Sequence, residues 1–181
     1  MADKTTRRNL FKLLGGTPLL AAATPARADG GGLREGPGPK LFFGAEALPQ
    51  LRKRFAEDAR FASLRVELME RDRAAERAFL RGDINFNDQL KNLTRVGEGA
   101  REMAWLYLMT GDEDVAELAI EGARTLMKFS MWDFFANEHR EAVGVQRAPD
   151  SAIAMACVID WLGDRVDPEE RQAWLDRGAG L

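Results

Sequence analysis

Followed for its apolar positions alone, the chain changes character at Leu41. From there on, apolar residues recur three or four places apart, the spacing that gathers them on one side of a helix. Leu48, Leu51 and Phe55 predict a short first helix behind Phe42 and Phe43. Phe61, Leu64, Leu68, Ala75 and Phe79 predict one longer, strongly charged helix that ends near Gly82 and Asp83. Leu90, Leu93, Val96, Ala100, Met103, Ala104 and Leu108 form the stripe of a third. That helix should stop at Thr110-Gly111-Asp112, where glycine accepts a left-handed turn and Asp112 is placed to cap the next helix. Val115, Leu118, Ala119, Gly122, Leu126 and Phe129 then mark a fourth. Pro149 and Asp150 open a fifth that runs to Leu162. Asp167-Pro168-Glu169-Glu170 starts a sixth, with a capping side chain, a proline where no N–H is needed, and acids at the positive end of the helix dipole.

No alternating stretch of useful length predicts a strand, so the expected body is all-α, built of antiparallel hairpins joined by short turns. The sixth helix has run barely three turns when the sequence closes on Gly178-Ala179-Gly180-Leu181. Trp174 and Leu175 are therefore expected to find few later elements to pack against, as in a truncated domain.

Charge separates the first 28 residues from the rest. They hold five basic side chains (Lys4, Arg7, Arg8, Lys12, Arg27) and one acid, so with a total of −3 the remainder carries −7. A body that acidic is not built to hold nucleic acid through its phosphates. The opening residues read as an export signal of the twin-arginine type. Arg7 and Arg8 are followed by Leu10, Phe11 and Lys12, then by a moderately apolar stretch, then by the small-x-small pattern Ala26-Arg27-Ala28. The expectation is a periplasmic or secreted protein that engages the twin-arginine export machinery, folds before crossing, and keeps no membrane anchor after cleavage. Residues 29–40 are rich in glycine and proline and read as a linker, which leaves 41–181 as the domain.

Cysteine and histidine each occur once, as Cys157 and His139, so an internal disulfide is excluded and a zinc site or Cys/His dyad is not expected. Cys157 lies in the apolar run Ile153 to Ile159 and reads as a buried structural thiol. No metal or cofactor is implied. The acids and arginines of 65–77 read as a solvated face with i,i+4 pairs.

Three stretches resemble the heparinase II/III and alginate-lyase group of polysaccharide lyases. They are Leu41-Phe42-Phe43-Gly44 with Leu48-Pro49-Gln50-Leu51-Arg52, then Ala104 to Glu113 with its Thr-Gly-Asp turn, then Ile159-Asp160-Trp161-Leu162 with Asp167 to Arg171. The resemblance implies part of an (α/α) toroid, followed in the family by a β-sheet domain, and β-elimination on a uronate-containing glycan. In that family an Asn-His pair and a tyrosine perform the chemistry after the third stretch. This sequence has Asn137-Glu138-His139 instead, and its only tyrosine, Tyr107, lies in the Thr-Gly-Asp hairpin and reads as packing. No catalytic residue is carried over, and the polypeptide alone is expected to be inactive, with the missing groups in further coding sequence.

Toroid loops shape a sugar cleft, which singles out Ser130 to Arg147. Trp132 is a candidate for stacking on a sugar, and His139, Gln146 and Arg147 for holding an acidic polysaccharide. In the plainer reading Trp132 and Phe135 plug the hairpin base, and His139 and Arg147 face water. Asp160 reads as a structural contact at a helix end rather than an acid catalyst. Two rivals to the lyase remain open: a non-enzymatic periplasmic helical-hairpin binding module, and a hydrolase, which needs two carboxylates across a cleft that no spacing here singles out.

Overall fold

The computed structural model of the chain describes residues 39–132, 135–136, 142–144 and 148–179. Over these the backbone is predominantly helical, as the periodicity predicts. After a 3₁₀ turn at Ala45–Ala47, α1 spans Leu48–Glu57, with Pro49 in its first turn where a missing N–H costs no hydrogen bond. The other helices are α2 (Ala62–Met69), α3 (Arg73–Arg81), α4 (Thr94–Thr110), α5 (Glu113–Leu126), α6 (Ala148–Leu162) and α7 (Pro168–Ala179). A short antiparallel pair joins β1 (Phe135–Ala136) to β2 (Ala142–Gly144), an addition that no alternating pattern announced.

The predicted ends are found where the sequence carries a terminator. Gly111 takes the left-handed conformation, φ 73° and ψ 15°, and its N–H returns to the Tyr107 carbonyl at 2.7 Å. The Asp112 carboxylate accepts the Asp114 N–H at 3.1 Å and starts α5. At α7 the Asp167 carboxylate accepts the N–H groups of Glu169 and Glu170 at 2.9 and 3.3 Å.

Two boundaries differ from expectation. The single charged helix from Phe61 to Phe79 is broken into α2 and α3, because Asp72 takes an extended backbone and its carboxylate accepts the Ala75 N–H at 3.0 Å. The third helix begins with a π-helical turn, Gln89–Leu93, under an Asp88 cap on the Lys91 N–H at 2.9 Å.

Helix α4 is the hub. It buries ten of its 17 residues, more than one face can account for, and packs on α5 and α6, with α1 and α2 beside it. Small residues let these helices approach. A Cβ at Gly122 of α5 would sit 2.9 Å from the Ala100 Cβ, so only hydrogen fits there. Trp105 centres an aromatic cluster, with ring centroids at 6.2 Å to Phe43, 6.5 Å to Phe55 and 5.8 Å to Trp161. Phe42 in turn lies 6.3 Å from Trp161. Helix α7 packs on α6, and Trp174 is 2% exposed, so it does find a partner surface; Leu175 remains exposed.

Candidate functional site

The aromatic cluster pins the segment before α1 and the end of α6 to the last turns of α4. A groove of about 850 Å³ opens beside this junction. Its walls come from Pro39 and Lys40, from Leu48 and Arg52 of α1, and from Arg77 and Arg81 of α3. Tyr107 and Leu108 of α4 form the end of the hairpin, and Glu113, Glu117, Ile120, Glu121 and Arg124 of α5 form the long side. The stretch from Ile159 to Arg165 and Arg171 of α7 complete it. Seven basic side chains face five acidic ones there, an excess of positive charge on a body that is otherwise acidic.

Most of these charges are already matched. Both oxygens of Asp160 are occupied by the strap that precedes α1: the Lys40 N–H donates at 3.0 and 2.9 Å, and the Leu41 N–H at 3.0 Å. The structural reading of Asp160 therefore holds. Arg165 Nη1 donates to Glu113 Oε1 at 2.9 Å and to the Tyr107 hydroxyl at 3.0 Å, and its guanidinium lies 5.1 Å from the centre of the Tyr107 ring. Arg124 binds Glu170 through two bonds of 2.8 Å, which hold the Glu170 carboxyl below its usual range and raise the guanidinium. Arg77 and Arg81 pair with Asp114 and Glu121. Arg52 instead gives its Nε–H to the Leu108 carbonyl at 2.8 Å, and partial burial lowers its pKa against a smaller opposing influence from Tyr107. The arrangement offers donors to an anionic ligand.

Trp132 is 1% exposed. Its indole N–H donates to the Leu126 carbonyl at 3.2 Å, and Arg177 lies 5.5 Å from its ring centre while donating to the carbonyls of Phe129 and Ser130. The ring closes the base of the α5 hairpin, as in the plainer of its two readings, and presents no open face to a sugar. His139, Gln146 and Arg147 lie outside the described residues, as do Arg7, Arg8, Ala26 and Ala28 of the export signal. Burial pushes the Cys157 thiol up to about 12, which keeps it protonated and unreactive. Among the described residues no group of His, Cys, Asp and Glu is arranged to hold a metal ion, and no helix is long and apolar enough to cross a membrane.

In the sequence Arg165 carries no signal, Arg52 and Arg171 stand only within the lyase-like stretches, and Tyr107 reads as packing. The available signal was helical spacing of polar rather than apolar positions: Arg77 with Arg81, and Glu113 with Glu117 and Glu121, lie four apart and line the same groove. No family model, no curated protein and no solved structure matches the chain.

Proposed function

We propose that this chain is the amino-terminal helical part of an exported polysaccharide lyase acting on uronate-containing glycans, and that the groove holds the acidic sugar chain. The observation that carries the reading is convergence. Lys40 and Arg52 flank the first of the three lyase-like stretches or belong to it, Tyr107 belongs to the second and Asp160 to Leu162 to the third, and all line one cation-rich groove. The hairpins α4–α5 and α6–α7 are then segments of an (α/α) toroid, and the leader directs the protein to the periplasm or beyond. β-Elimination requires donors that neutralise the uronate carboxylate while a base removes the C5 proton. The groove supplies donors. The sequence has no Asn-His dipeptide, so this polypeptide binds without turnover.

The rival reading, a binding module with no chemistry at all, is favoured by one feature: Asp160, Glu113 and Glu121 are each engaged by neighbouring N–H groups or arginines, which leaves them poorly placed as acid or base. The deciding experiment incubates the 181-residue chain, and separately the full natural polypeptide, with alginate, polygalacturonate and heparan-type glycans. Calorimetry reads binding, and ultraviolet absorbance reads the unsaturated product. The lyase reading expects binding by both and product from the full polypeptide alone. Binding by both with no product establishes the module instead, and no binding by either overturns the glycan site.

A further inference from the structure

Among the described residues, Arg77, Arg81, Arg124 and Arg165 each meet a carboxylate, whereas Arg52 meets none. Its Nε–H is held by the Leu108 carbonyl at 2.8 Å, which fixes the plane of the fork and leaves the two terminal nitrogens for another partner. Partial burial without a counter-ion is costly for a cation, so the site gains by taking in an anion. Tyr107 stands on the same wall. Its oxygen accepts from Arg165 Nη1 at 3.0 Å, so its own hydroxyl hydrogen is left to donate. Trp161 also lines the groove, and its buried indole N–H has no hydrogen-bond partner among the described residues.

We infer that Arg52 and Tyr107 form a carboxylate-binding subsite, with the planar Arg52 fork taking both oxygens of one acidic sugar and the Tyr107 hydroxyl donating to one of them. The inference rests on the glycan reading of the groove and adds which atoms recognise the acid. A flat two-oxygen group suits a planar fork; a sulfate ester presents the same charge without that plane.

The test is titration calorimetry of the full chain with an oligogalacturonate of defined length, with dextran sulfate and neutral dextran as the other arms. Arg52→Gln should weaken oligogalacturonate binding roughly tenfold to a hundredfold, and Tyr107→Phe several-fold. Arg52→Lys keeps the charge and loses the fork, so it should fall between. Tyr107→Phe retains the ring and its packing, which keeps the test readable should Arg52→Gln disturb α1. Unchanged oligogalacturonate affinity in both Tyr107→Phe and Arg52→Lys, with the native chain binding, overturns the subsite and leaves the glycan reading standing. An equal loss on dextran sulfate overturns the carboxylate assignment. Absence of binding by the native chain overturns the glycan reading and this subsite together.

Discussion

Helices α3 and α4 both pack against α5, and they do so by opposite means. Helix α4 meets it through apolar and backbone-close contact, with Gly122 against Ala100 and with Val115, Leu118, Ala119 and Leu126 of α5 buried. Helix α3 buries no residue fully and leans on Phe79 and Leu80, which are half-covered. What holds it is a ladder of arginines four apart. Arg73 reaches Asp112 at 2.8 Å and Asp114 at 3.1 Å, Arg77 reaches Asp114 at 2.5 Å, and Arg81 reaches Glu121 at 2.5 Å. The first kind of contact scales with apolar area and is not weakened by ionic screening. The second lies in high dielectric and is screened, with each exposed pair contributing about 0–1 kcal/mol. One domain therefore holds a rigid hub and a helix attached by charge, and local opening should begin at the helix.

The largest effect should come from the hub. Trp105→Ala removes the centre of the aromatic cluster and should cost about 3–5 kcal/mol in urea unfolding. Gly122→Val forces a side chain into the Ala100 contact and should cost about 1–3 kcal/mol. On the other side of the comparison, Arg77→Gln should change global stability by less than about 1 kcal/mol while hydrogen exchange rises in 73–81. Raising NaCl toward about 1 M, where the screening length falls to about 3 Å, should reproduce that local rise in the native chain. Labelling of Cys157, whose buried thiol is raised to about 12, should not quicken with it. Salt that loosens both equally would erase the distinction between hub and ladder.

The smallest effect is in pH. Hydrogen bonds from Arg77 and then Arg73 hold the Asp114 carboxyl below its usual range. A folded-state value depressed in this way stabilises above the unfolded carboxylate value of about 4 and is lost as pH falls through the folded one. Protection of α3, corrected for intrinsic exchange, should therefore decline on acidification from about pH 4 downward while α4 keeps its own. Protection of α3 that holds through that range would remove Asp114 from the ladder.

The same contrast explains what the sequence disclosed. Ends marked by a single residue with a backbone reason, such as Gly111, Asp112 and Asp167, were legible because the reason is local. Asp72 escaped because a capping acid inside a charged run looks like one more solvated charge, and the apolar stripe continues across the break. The charges of 65–77 were expected to pair along their own helix. The arginines cross to other elements: Arg71 to the buried Glu102, Arg73 and Arg77 to the start of α5, and Arg65 to the Phe55 carbonyl. Pairing between helices depends on how the helices cross, which a one-dimensional pattern does not encode. The groove is less legible still, since helical spacing links its lining residues only within one helix, and nothing in the sequence joins Pro39 to Arg171. Tyr107 shows the limit at a single residue. It packs as expected, and its hydroxyl nevertheless reaches Arg165 at the groove wall.

The tie between Asp160 and the backbone at Lys40 and Leu41 spans 120 positions of sequence. A chain made from its amino terminus at about 5–20 residues per second emits its strap roughly 6–24 s before the carboxylate that fastens it exists. Until then Leu41 and Phe42, still partly exposed in the finished fold, have no anchor on α6. Contacts of such long range are late to form, because the intervening chain must first be brought to order. The fastening of residues 40 and 41 thus records that α6 has been synthesised and docked, and the front of the molecule reports the completion of its back.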